Sequence, residues 1–300
     1  MMSYGASFGT VPSGKTGKEA LRNIPSSIQT FKPHVMLSVP TLAKNFKKNI
    51  ENSIKKSGKT VERLYNFALK NAIAYHKEGY NRGTEFADIF RKPLMLLFDK
   101  IIFKKVRAGL GGNMKFFVGG GALLDIDLQR YYCAIGIPMY QGYGLSEATP
   151  IISANSIERH ILGSSGCVVK PMEIKILDDN GKELPYGEKG EICIYGENVM
   201  AGYWKNPKST AETVIDGWLH TGDMGYMRDE TFLYVVGRFK CLLISSDGEK
   251  YSPELIEESI GENSKFIENL ILHNNQDPYT IALVVPHKDN LKAYVQATKP

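Results

Sequence analysis

Hydrophobic residues recur every three or four positions through the first third of the chain. Leu42, Phe46, Ile50 and Ile54 form one series, with Lys44, Lys47, Lys48, Lys55 and Lys56 between them, and Gly58 closes it. Val61, Leu64, Tyr65, Ala68, Leu69, Ala72, Ile73 and His76 form a second. Leu94, Leu97, Phe98, Ile101 and Ile102 form a third, after Pro93. A period near 3.6 predicts three amphipathic helices, each turning one apolar face to a core. His76 is in phase with that face, so it is expected as a packed or capping histidine. Ahead of the helices, residues 31–40 read as a buried strand closed by Pro40.

The pattern then alternates between strands and turns. Residues 114–118 form a compact apolar run that leads into Gly119-Gly120-Gly121-Ala122. Consecutive glycines after a strand cost entropy unless the backbone must come close to something. Asp125 reads as the N-cap of a helix carrying Leu128, Tyr131, Tyr132 and Ile135. Residues 134–140 read as a short buried strand, so Gln141-Gly142-Tyr143-Gly144-Leu145-Ser146-Glu147 falls where a strand opens into a loop. An aromatic face can stack on a base, a hydroxyl can donate to phosphate, and a carboxylate can hold a hard cation. Alone, the segment reads better as a polar turn after a strand.

From about residue 163 the texture is β. Residues 172–177 and 190–196 alternate around the turn Asp178-Asp179-Asn180-Gly181, a hairpin pattern. A second dense polar site, Asp216 to Asp223, precedes an expected strand pair at 232–237 and 241–244, joined by Arg238-Phe239-Lys240. Ser252-Pro253-Glu254 opens a helix. Strands at 270–273 and 281–285 and a last helix from Asp289 complete a small α+β unit.

Composition narrows the class. The chain has 300 residues, 43% of them hydrophobic, enough for a large core and about two domains. A net charge of +5 fits an anionic small molecule or a membrane surface and does not require nucleic acid. Cys133, Cys167, Cys193 and Cys241 lie far apart without a C-x-x-C pair, which favours reduced thiols in a cytosolic setting over a metal centre. The first residues lack the basic and apolar regions of a secretory signal. The most apolar stretch, 94–103, contains Asp99 and Lys100 and is too short to span a bilayer. Contact of the basic helices with anionic lipid headgroups is a sharper alternative to a merely solvated face.

Gly9-Thr10-Val11-Pro12-Ser13-Gly14-Lys15-Thr16 matches the phosphate-loop spelling G-x-x-x-x-G-K-T. A working loop needs a buried strand before it, and Pro12 removes one amide donor, so the match reads as coincidence. A P-loop NTPase stays as a rival.

Taken in order, these sites resemble the AMP-forming acyl-CoA synthetases, the adenylate-forming ligases of the long-chain fatty-acid type. The resemblance covers nearly the whole chain. It implies that the Gly119 to Ala122 segment, through Gly120, Gly121 and Ala122, lines adenine, and that Tyr143, beside Gly144, stacks on it. It gives Ser146 the α-phosphate and Glu147 a Mg²⁺ ion, these two being the catalytic pair. It gives Asp223 of Thr221-Gly222-Asp223 the ribose hydroxyls, with Arg238 near ribose and phosphate. Residues 190–204 resemble a largely structural segment. Asp247-Gly248-Glu249-Lys250 resembles the loop that meets CoA, with Gly248 and Glu249 serving the thioester step.

The implied fold is α/β. Residues 1–165 form an α/β subdomain of a large adenylation domain, with a helical insertion over about 42–110. Residues 166–237 form a β-rich subdomain, and 238–300 a hinge with part of a C-terminal α+β domain. The implied activity joins ATP, a fatty acid and CoA through an acyl-adenylate. The rivals are an acyl carrier protein as acceptor, or a non-catalytic nucleotide- or lipid-binding module. A family-type phosphate loop and the C-terminal lysine are not found. Cys241 and Ile244 replace residues that are often charged in the family. The expectation is a piece cut at both ends that adenylates poorly by itself.

Overall fold

The computed structural model describes residues 5–12, 17–79, 83–120, 124–238, 243–244, 246 and 250–298. The chain divides into two units, residues 1–170 with 231–233, and 171–230 with 234–300.

In the first unit, α1 (Gly17–Phe31) precedes β1 (Val35–Ser38), α2 (Pro40–Lys56) and α3 (Lys59–His76). Helix α1, which carries Pro25 inside it, was not among the expected elements. The first two periodic series are helices as read. Phe46 and Ala43 are buried from α2, and Tyr65, Ala68, Ala72 and His76 from α3. Pro40 opens α2 at its first turn, where no intrahelical amide is needed.

The third helix corrects the expectation. Helix α4 (Asp88–Phe98) begins five residues before Pro93 and contains it. A wide π-type turn (Asp99–Phe103) and α5 (Lys104–Gly109) follow. Asp88 anchors the early start. Its Oδ2 accepts the Glu85 amide at 3.0 Å and lies 3.2 Å from Lys77 Nζ, and its Oδ1 lies 3.1 Å from Arg91. These contacts outweigh the amide lost at Pro93.

Strand β2 (Phe116–Gly119) leads to α6 (Ile126–Ala134), β3 (Met139–Gly144), a 3₁₀ turn (Ser146–Ala148), β4 (Ile151–Ala154) and β5 (Gly166–Val168). Asp125 caps α6 as expected, accepting the Leu128 amide. The strand expected at 134–140 is displaced. Ala134 ends α6, Gly136 turns at φ +82, and Pro138 offers no amide, so pairing begins at Met139. Strands β1, β2 and β3 are parallel neighbours, as Val35 faces Phe116 and Phe117 faces Met139. Strand β4 runs antiparallel to β3, β5 antiparallel to β4, and Phe232 and Leu233 antiparallel to β5. Phe117, Tyr131, Tyr132, Ile135, Ile137 and Met139 are buried at the centre of this unit's core. Residues 5–12 form no strand, so the phosphate-loop spelling lacks that support, and 13–16 lie outside the described residues.

In the second unit, β6 (Glu173–Leu177) and β7 (Gly190–Tyr195) form the expected hairpin, from Glu173 opposite Tyr195 to Leu177 opposite Glu191. Next come α7 (Pro207–Thr213), β8 (Val214–Ile215), β9 (Trp218–Met227) and β10 (Phe232–Arg238), which belongs to this unit from Tyr234. Strand β9 lies beside β7 and pairs with β8. The Thr221–Asp223 segment is therefore part of a strand and does not merely precede one.

The strand pair expected at 232–237 and 241–244 is also corrected. Strand β11 (Leu243–Ile244) pairs with β12 (Lys250–Tyr251), while β10 neighbours β9. Helix α8 (Pro253–Asn263), the antiparallel pair β13 (Ile267–His273) and β14 (Ile281–Pro286), and α9 (Lys288–Thr298) follow as read. Among the described residues, no helix is long and apolar enough to cross a membrane.

Candidate functional site

In the first unit the expected nucleotide motifs meet at the carboxyl ends of two adjacent parallel strands. Gly119 faces Gln141 across β2 and β3, so the next residues, Gly120 and Gly142, run side by side. A methyl group on Gly120 would lie 3.8 Å from the Gly142 carbonyl. Ligands of open α/β sheets sit at such ends, where amides and carbonyls leave the ladder. Gly120 is exposed there. Gly121 and Ala122 lie outside the described residues.

Tyr143 is half-buried on β3 opposite Ser153, and Gly144 ends the strand. The glycine is required by contact. A Cβ at Gly144 would run into the Pro150 carbonyl, because the chain folds back tightly through the 3₁₀ turn. Thr149 completes that turn in left-handed backbone at φ 51. Ser146 is exposed and Glu147 half-buried, adjacent on the turn. Their oxygens are of the kind that suits a hard cation such as Mg²⁺.

Asn155 supports the β3 end and was not foreseen. Its Nδ2 donates to the Gln141 carbonyl at 3.0 Å and to the Ser164 carbonyl at 2.9 Å. Its Oδ1 accepts the Ile161 amide at 3.1 Å. Only its place just after an apolar strand hinted at this.

In the second unit, Asp223 and Arg238 come together. Arg238 Nε lies 3.7 Å from Asp223 Oδ1, with the Asp223 side chain 16% exposed and that of Arg238 71% exposed. At that distance and exposure the pair adds little stability, which leaves Arg238 available to a ligand anion. Gly248, Glu249 and Cys241 lie outside the described residues. Ile244 sits on β11.

A side-chain cluster that the sequence did not reveal adjoins Asp223. Glu191 Oε2 lies 2.8 Å from His220 Nδ1, and Cys193 Sγ lies 3.4 Å from the same nitrogen. These three types can bind a soft metal. Here the carboxylate already takes the imidazole N–H. Burial, followed by the charge of Glu191, pushes the Cys193 thiol up to about 12. The cluster is a hydrogen-bonded one.

The sequence pattern of the AMP-binding enzymes matches residues 1–204. The chain belongs to this family.

Among its curated relatives, the long-chain-fatty-acid–CoA ligase FadD15 of Mycobacterium bovis is 28% identical over 276 residues, 92% of this chain and 43% of the relative. The long-chain-fatty-acid–[acyl-carrier-protein] ligase AEE15 of Arabidopsis thaliana is 28% identical, over 90% of this chain and 42% of that protein. The chain thus spans under half the length of these relatives. Among solved structures, the o-succinylbenzoate CoA synthetase of Bacillus subtilis with its acyl-adenylate intermediate superimposes at a TM-score of 0.59 and 22% identity. That match covers 93% of this chain and 48% of the other. The same enzyme with ATP and magnesium ion gives a TM-score of 0.57. These likenesses establish the fold of this AMP-binding family member as mixed α/β.

Proposed function

We propose that this chain takes part in the ATP-dependent activation of a long-chain fatty acid as acyl-AMP and its transfer to the thiol of CoA. The observation that carries the reading is the placement of Gly120 beside Gly142 at the ends of β2 and β3, directly before Tyr143 and the Ser146–Glu147 turn. A carboxylate acylates poorly, and joining it to AMP with loss of pyrophosphate makes it an electrophile for a thiol. Such a reaction needs positioning and charge neutralisation, not a covalent enzyme nucleophile. Tyr143 would stack on adenine, Ser146 would donate to the α-phosphate, and Asp223 with Arg238 would receive the ribose. Glu147 would hold Mg²⁺, which supplies positive charge against the phosphates. Gly248 and Glu249 keep the thioester step as their proposed role.

Relatives that use CoA and relatives that use acyl carrier protein are equally similar in sequence, so the acceptor is proposed as CoA with the carrier protein as the alternative. Competition between the two acceptors separates them. Peripheral contact with anionic lipid is proposed for the helical region, where Phe86, Ile89 and Phe90 are 78%, 63% and 70% exposed. Flotation with charge-reversed Lys47 and Lys48 tests it.

The nucleotide reading is tested by titrating AMP into the chain and its variants. Tyr143→Ala should weaken binding by about tenfold, the scale of one stacking contact. Lys15→Ala should leave it unchanged. Loss of binding in Lys15→Ala with none in Tyr143→Ala would reverse the assignment in favour of the phosphate loop.

A further inference from the structure

Glu191 does more than fill space on β7. Cys193 faces His220 and Glu191 faces Met224, so β9 takes four steps where β7 takes two. The extra length leaves Thr221, Gly222 and Asp223 out of the ladder in a wide bulge, with Gly222 in left-handed backbone at φ +69. A bulge of this kind frees backbone groups that need other partners.

Glu191 supplies them from the facing strand. Its Oε1 accepts the Gly222 amide at 3.1 Å, and its Oε2 accepts from His220 Nδ1 at 2.8 Å, so one carboxylate spans the bulge. A carboxylate only accepts, which places the imidazole proton on Nδ1. Thr221 Oγ1 donates to the Ile192 carbonyl at 2.7 Å and accepts the Asp223 amide at 3.1 Å. The backbone on both sides of Asp223's neighbour Gly222 is therefore tied to β7.

We propose that Glu191 is a positioning residue, which fixes the β9 bulge so that Asp223 presents its carboxylate to the ribose hydroxyls. Glu191 touches no ligand and acts only through Asp223. The proposal rests on the nucleotide reading above.

The test compares AMP with 2′,3′-dideoxy-AMP, which lacks both hydroxyls, by equilibrium titration. The unaltered protein should bind AMP roughly tenfold more tightly, the scale of a charge-assisted hydrogen bond. Glu191→Ala should lose that preference while binding the dideoxy nucleotide as before. Glu191→Ala in an Asp223→Ala background should cost nothing further. Glu191→Gln, which keeps an acceptor for the Gly222 amide, should retain part of the preference and serves as the readout if the alanine variant does not fold. Equal weakening of both nucleotides, or a further loss on top of Asp223→Ala, would overturn the positioning role. No preference in the unaltered protein would overturn the ribose reading itself, a separate outcome.

Discussion

The Tyr65 hydroxyl donates to the Tyr131 hydroxyl at 2.9 Å, joining α3 to α6 inside the first unit's core. Both rings are buried, as is Tyr132, whose hydroxyl donates to the Ala43 carbonyl at 2.7 Å. Removing the donor should leave a buried phenol short of a partner. Tyr65→Phe is expected to destabilise by about 1–2 kcal/mol. Adding Tyr131→Phe should cost less than its effect alone, because the orphaned hydroxyl goes with it. Urea unfolding of the two singles and the double measures this, and additive costs would mean that the pair is not coupled.

The same tyrosines set an alkaline limit. Burial raises Tyr65 from 10.0 to about 12, against a smaller lowering by the Tyr131 bond, and burial raises Tyr131 and Tyr132 further. Each folded value lies above the unfolded one, so the stabilisation is complete below pH about 10. It declines as pH rises through 12, since the unfolded phenols ionise first. Thermal midpoints should fall steeply above pH 10, and the fall should be shallower in Tyr65→Phe. A flat profile would contradict the burial.

Asp88 sets the acid side. The Glu85 amide, then Arg91 and Lys77, hold its carboxyl below the ordinary 3.8, against the opposing effect of burial. A lowered value gives stability that is present above pH 3.8 and is lost as pH falls through the folded value. Asp88→Asn should therefore lower the melting temperature at pH 6 and narrow its gap to the unaltered protein towards pH 3. A gap that stays constant with pH would point to packing alone.

Gly144 should tolerate nothing larger. Gly144→Ala drives a methyl group into the Pro150 carbonyl and is expected to cost about 2 kcal/mol or more, with loss of AMP binding. Gly142→Ala meets the Ser153 carbonyl at 3.2 Å and should cost less. Equal melting temperatures for the two would refute the close approach.

Cys193 should resist alkylation in the folded protein. Its side chain is fully buried and its thiol is raised to about 12, so little thiolate exists at pH 8. Peptide mass spectrometry after iodoacetamide should find Cys193 modified only in denaturant. Labelling in the native state would show that the β7–β9 face opens.

What the sequence decided alone is local. The 3.6-residue spacing of Leu42 to Ile54 and Val61 to His76 specified α2 and α3, because a helix repeats within its own length. Asp125 announced α6, since an N-cap bonds only three residues ahead. The order of Gly120, Tyr143, Ser146 and Glu147 suggested a nucleotide only through its resemblance to the adenylate-forming ligases. Tertiary structure decided what depends on distant partners. Helix α4 starts at Asp88 because Lys77 and Arg91 stabilise that end despite Pro93. Strand β5 pairs with Phe232 and Leu233, more than 60 residues further on, because ladder partners are chosen across space, and no nearest-neighbour pattern records that choice. Glu191 and His220, 29 residues apart, meet only because β7 and β9 are adjacent with a bulge between their paired positions. Hydrogen bonds of that kind follow register, and register is set by the packing of whole strands.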